Sequence, residues 1–174
     1  QGVHPGKDPT ASPQASKEEV KMRSLGLHVV RGKARTQTTN TRITLFERGA
    51  KVGYKIIDFT ISLRDLTATS PSHISAKIST VDMNQFTGRN DDEHWEDSRE
   101  LAWCTAFYDA NATGVGPTIA PITVIDPSNL VVEDVYVGGY NYSSGQDFNY
   151  MIVFEKFALD DGDTALTMVR NRYE

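Results

Sequence analysis

From Ile43 onward the chain alternates apolar and polar residues with a period near two, and turn residues interrupt it every few positions. This rhythm leaves little room for anything but β-strands. A helix would repeat its apolar residues every three to four positions, whereas a half-buried strand repeats them every second one. In Tyr54–Leu63 (YKIIDFTISL) the residues Ile57, Phe59, Ile61 and Leu63 fall on one face. Ile74, Ala76, Ile78 and Thr80 alternate with Ser75, Lys77, Ser79 and Val81 in the same way. Phe148–Leu159 is the longest candidate, and Ile43–Glu47, Leu101–Phe107, Ile119–Ile125, Leu130–Val137 and Thr164–Arg170 are shorter ones, divided by clusters such as Asp126-Pro127-Ser128-Asn129 and Asp160-Asp161-Gly162-Asp163. The spacing predicts eight strands and no amphipathic helix, hence an all-β sandwich. An eight-stranded jelly roll is the first expectation, and an immunoglobulin-like or other Greek-key sandwich the second. The expected core is Ile57, Phe59, Ile61, Ile78, Trp103, Val132, Ile152 and Phe154.

Residues 1–42 do not follow this rhythm. They hold eight Lys/Arg against three Asp/Glu, a balance of +5, while residues 43–174 balance to −10 within the chain's net −5. Pro5, Pro9 and Pro13 stand among Gly, Ser and Thr, so the first part of this stretch cannot bury enough apolar area to order itself. Leu25, Leu27 and Val29 then alternate with polar or small residues before the run Thr36–Thr41. The division expected is an extended basic N-terminal arm, 1–42, and a sandwich body, 43–174. Lys21, Arg23, Leu25, Leu27, Val29, Arg31, Lys33 and Arg35 are the arm's candidate contact residues, leaving their own body to dock on a neighbouring copy. Nucleic acid is a secondary expectation, because these cations are dispersed and no aromatics interleave for base stacking.

The 174-residue length suits one domain, and the single cysteine forms no disulfide within the chain. No apolar run approaches the roughly 20 residues of a membrane-spanning helix, so a soluble chain without a membrane span is expected. Cys104, between Trp103 and Thr105 in an apolar strand, is expected to be buried and inert. No nucleophile elbow, phosphate loop, dinucleotide fingerprint or zinc-protease motif occurs, and the four histidines are scattered; no enzyme is expected. The acidic run around Asp91, Asp92, Glu93 and Asp97 carries oxygen ligands of the type calcium takes. It lacks the spacing and turn glycine of an EF-hand, and reads as a solvated loop anchored by Trp95, so no cofactor is expected. Gly138–Gly145 presents Tyr140, Asn141 and Tyr142 in an expected hairpin loop, a composition suited to recognising a receptor or glycan. Phe148–Leu159 is apolar on both faces: Tyr150, Ile152 and Phe154 on one, Met151, Val153 and Phe157 on the other. Such a strand is either central in its sheet or covered by another subunit.

The stretches ITLFERG, YKIIDFTIS, VIDPSNLVVEDVYVGGYNY, NYMIVFEKF and MVRNR resemble small β-rich particle proteins of tailless marine phages. The similarity runs discontinuously from about Ile43 to Arg172 and leaves the arm uncovered. It implies a bacteriophage structural protein, a capsid or capsid-associated homo-oligomer located in the virion, with copies of itself and other virion proteins as partners. The alternative it leaves open is a receptor- or glycan-binding spike or fibre head. These motifs carry no catalytic residues across.

Overall fold

A computed structural model describes residues 22–37, 40–45, 51–64, 72–82, 97–108, 122–141 and 145–159. Every regular element among them is a strand: β1 (Arg23–Arg35), β2 (Thr41–Ile43), β3 (Val52–Leu63), β4 (Ser72–Ser79), β5 (Glu100–Tyr108), β6 (Ile122–Ile125), β7 (Val135–Tyr140) and β8 (Asp147–Ala158). They form two antiparallel sheets. Sheet A has the order β1-β8-β3 and sheet B the order β2-β7-β4-β5-β6.

The core lies between the inner faces. Sheet A supplies its bulk through Tyr54, Ile56, Phe59 and Ile61 of β3 and Phe148, Ile152 and Phe154 of β8, all buried. Sheet B answers with Ile74, Ala76 and Ile78 of β4 and the small side chains Ala102, Cys104 and Ala106 of β5. Large residues on one sheet over small ones on the other let two flat layers interlock at interior density. Gly139 marks the tightest approach, since a β-carbon there would stand 2.5 Å from the Phe148 ring.

Of the expected core residues, Phe59, Ile61, Ile78, Ile152 and Phe154 belong to the core, whereas Val132 and Trp103 are buried outside it, Trp103 on the outer side of sheet B. Ile57 is not buried. The β3–β8 register slips between Ile56 and Asp58, so Ile57 is the extra residue of a bulge and is 44% exposed. Ile56 and Phe59 both turn inward around it, which strict alternation forbids. Cys104 is fully buried, and its sulfur accepts the Thr123 hydroxyl at 3.3 Å.

The arm requires the largest correction. Arg23–Arg35 pairs antiparallel with β8 of its own chain from Arg23↔Ala158 to Arg35↔Asp147. Its inner face, His28, Val30, Gly32 and Ala34, lies toward the core, where the His28 ring meets Tyr54 edge-on. The join is well anchored: Thr36 is buried and its N–H donates to the Gln146 carbonyl at 2.8 Å. Gln37 follows in the left-handed region at φ 58°. Arg42 bonds Asp134, and this raises the guanidinium's pKa. Among the described residues the sandwich therefore begins at Arg23, and a boundary after residue 42 cuts through it. Residues 1–21 lie outside the described residues, as does the expected strand Thr164–Arg170. The expected strand Leu130–Val137 is irregular in its first half, and β7 runs on to Tyr140 instead.

Candidate functional site

The two outer faces of the sandwich differ. On sheet B, the residues opposite the core are themselves buried: Lys77 and Trp103, cross-strand partners, together with Glu100. The Lys77 ammonium bonds one Glu100 oxygen, and the Trp103 indole N–H donates to the other at 2.7 Å. An ion pair in such a setting is held by hydrogen bonds that satisfy its remaining atoms. The polar groups of this cluster are paired, while further along the same face Phe107 is 47% and Ile122 69% exposed.

The outer face of sheet A is open. Because β8 lies between β1 and β3, each row of this face takes one residue from every strand. The rows are Leu27–Glu155–Lys55, Val29–Val153–Asp58, Arg31–Met151–Thr60 and Lys33–Asn149–Ser62. Leu27 is 65% exposed and Val29 46%. Two bulges enlarge the apolar end. Ile57 is ejected from β3, and Leu25 from β1, where the register slips between Ser24 and Gly26. Gly26 supports the slip with φ 104°, a conformation that side chains resist. The other end is cationic. Asp147 lies against Arg35 at 3.7 Å and Arg64 at 3.5 Å, so part of that charge is balanced locally.

Of the arm residues singled out in the sequence, Leu27, Val29, Arg31, Lys33 and Arg35 stand on this one face. Arg23 and Leu25 lie at the start of the same strand, and Lys21 is outside the described residues. Sequence reasoning named the strip and set Met151 and Val153 together on one apolar face of their strand, but assigned Ile57 to the core. The apolar character of both sides of β8 was the available signal.

The other candidates do not assemble a site. Asn141 is buried rather than displayed: its amide donates to Gln146, and its carbonyl accepts from the Gln37 side chain at 2.5 Å. Tyr140 ends β7 and is half-buried, while Tyr142 lies outside the described residues. Asp97 is engaged by Arg99 through both carboxylate oxygens, at 2.9 Å and 2.7 Å, and this pairing lowers its pKa. Asp91, Asp92 and Glu93 lie outside the described residues, and among those described no group of three or more ligand side chains converges. No helix there is long and apolar enough to cross a membrane.

One site missed by sequence reasoning is structural. Asn129 acts as a strand for the free side of β3: its carbonyl accepts the Ile56 N–H at 2.5 Å and its amide donates to the Ile56 carbonyl at 3.3 Å. Val131 bridges Tyr54 with two backbone bonds of 2.7 and 2.9 Å, and the Thr123 hydroxyl caps the Phe59 carbonyl. That edge of sheet A is sealed from Tyr54 to Phe59.

These features define an all-β, two-sheet protein with an apolar and cationic strip along the outer face of sheet A. Set against models of known protein families and against curated proteins, the chain matches none.

Proposed function

We propose that this chain is a structural subunit of a virus particle, a capsid or capsid-associated protein with a jelly-roll body that assembles through the outer face of sheet A. The observation that carries the reading is the exposed apolar group Leu25, Leu27, Val29 and Ile57 beside Met151 and Val153. Contiguous apolar surface on a soluble domain marks a contact with another molecule. The strand order supports the jelly roll. Winding one long antiparallel hairpin pairs the first strand with the eighth, the second with the seventh and the fourth with the fifth, and these three pairs all occur. The third and sixth would complete the series. Here β6 pairs with β5, while its Thr123 reaches β3. The resemblance to particle proteins of tailless marine phages points the same way, and with it a place in the virion. The receptor-binding alternative loses support with Asn141, whose polar groups are turned to internal partners.

The test is the mass of the full chain in solution across concentration, with electron microscopy of the larger species. Closed oligomers or particles are expected, as is their loss in the pair Leu27→Asp and Val153→Asp with an unchanged β-sheet circular-dichroism spectrum. A chain that stays monomeric at every concentration and salt would remove the proposal.

A further inference from the structure

We infer that the free edge of β1 is a docking site for an extended acidic segment of another protein chain, which adds to sheet A as a fourth strand. This rests on reading the sheet A face as an assembly surface, and names what docks there.

The geometry begins with backbone bookkeeping. The Thr36 N–H donates to the Gln146 carbonyl, on the side of β1 where β8 lies, and the Gln146 N–H donates back to the Thr36 hydroxyl at 2.7 Å. Alternation then aims the N–H and C=O of Ala34, Gly32, Val30 and His28 at β8, and those of Lys33, Arg31, Val29 and Leu27 away from it. Among the described residues no strand pairs with that side of β1. The other long edge, on β3, is sealed by Val131, Asn129 and Thr123, and the edge strands of sheet B have only three and four residues. Proteins blunt such edges unless something occupies them. At 13 residues β1 is the longest strand here, and half of it is blunted only by cations.

Charge selects the occupant. β1 carries Arg23, Arg31, Lys33 and Arg35 and no carboxylate. Arg35 has Asp147, whereas Arg31 and Lys33 have no ion-pair partner among the described residues. A second β1 fits poorly: the antiparallel register that sets Leu27 against Val29 of the other copy also sets Lys33 against the other Arg23, and like charges directly opposite are unfavourable. An incoming antiparallel strand with carboxylates opposite Lys33 and Arg31, then apolar residues opposite Val29 and Leu27, satisfies every row. Main-chain bonds would supply affinity and the alternate side chains specificity.

The probe is the peptide Thr-Glu-Thr-Glu-Thr-Val-Thr-Val-Thr, measured by fluorescence anisotropy against the full chain, with solution mass recorded on the same samples. Saturable binding that weakens with salt is expected, and the version with Lys in place of Glu should bind about tenfold more weakly or worse, the scale of two cross-strand charge pairs reversed. Val29→Pro removes an outward N–H while sparing the β8 ladder, and should abolish binding. Should that variant not fold, N-methylation of the two peptide Val residues on unaltered protein makes the same test. Arg31→Glu with Lys33→Glu should reverse the preference to the Lys peptide. Equal binding of the two peptides, or indifference to N-methylation, overturns the inference. Dimerisation that Val29→Pro abolishes, without peptide binding, also overturns it and assigns the edge to a second β1. Peptide binding by a chain that is monomeric throughout would sustain this docking site while removing the assembly reading.

Discussion

Lys77→Met should be among the most damaging single substitutions on the outer side of sheet B. Lys77 and Glu100 have side chains only 6% and 0% exposed, and their charged ends are bonded to each other. Removing the ammonium leaves the Glu100 carboxylate in place without its cation. Breaking a buried pair from one side costs about 3–5 kcal/mol, against ~0–1 kcal/mol for a pair in solvent. For a chain of this size each kcal/mol lowers the melting temperature by about 2–4 °C, so a fall of roughly 10–15 °C is expected. Glu100→Gln, which keeps an oxygen for the Trp103 indole, should cost a similar amount because it removes the carboxylate bonded to the Lys77 ammonium.

The double variant Lys77→Met with Glu100→Gln separates this explanation from simple packing loss. It buries no net charge, so its stability should return to within about 1.5 kcal/mol of the parent, leaving a coupling energy of some 2 kcal/mol or more between the two sites. Urea unfolding followed by tryptophan fluorescence is the assay, since Trp103 sits in the cluster. Single variants that each cost less than about 1 kcal/mol, or a double variant as unstable as the two costs added, would refute the reasoning.

Four further outcomes are expected. Asn129→Ala should cost about 2–4 kcal/mol in chemical denaturation, because it strands the N–H and C=O of Ile56 in a buried place. Gly139→Ala should cost about 1–3 kcal/mol in the same measurement, since the added methyl meets the Phe148 ring at 2.5 Å. Burial raises the Tyr150 phenol above its usual pKa near 10, so the stability tied to its neutral form is complete below that value and lost as pH rises through the higher folded one. Tyr150→Phe should therefore move the alkaline unfolding midpoint upward, read by circular dichroism. Cys104 should resist thiol reagents in the native protein and react only on unfolding; rapid labelling would contradict its burial.

The fold class was legible because alternation survives in β3, β4 and β8, where one face of each strand must be apolar. Its limits are equally physical. Ile57 was misassigned to the core because a bulge inverts the alternation without leaving a composition signal. β1 was read as an arm because its outward residues are the conspicuous ones. Its inward set, His28, Val30, Gly32 and Ala34, is small or polar, and only the broad cover of β8 makes it an adequate inner face. Gly32 shows the accommodation most directly: the Tyr150 ring lies where a side chain would stand. Asn129 reads as a turn residue, and its service to β3 depends on two segments more than 70 positions apart. The strip Leu27–Arg35 was visible because a strand's outward face reads as alternation whether or not the strand belongs to the body.

The charge asymmetry also changes meaning once β1 joins the sandwich. A basic arm on an acidic body suggests diffuse attraction, yet several of those cations already have places. Arg42 is held by Asp134, and Arg35 shares Asp147 with Arg64. What remains on the described part of the arm is Arg23 at the start of β1 and the adjacent pair Arg31 and Lys33, beside Val29 on the open face. An apolar row attracts without direction, whereas two cations at one end of it distinguish the orientations in which a partner strand can lie. On sheet B the buried charges Lys77 and Glu100 are bonded to each other, and Phe107 and Ile122 are the exposed apolar side chains of its outer face. At the proposed docking edge, the step from Val29 to Arg31 would set the orientation of the partner strand along β1.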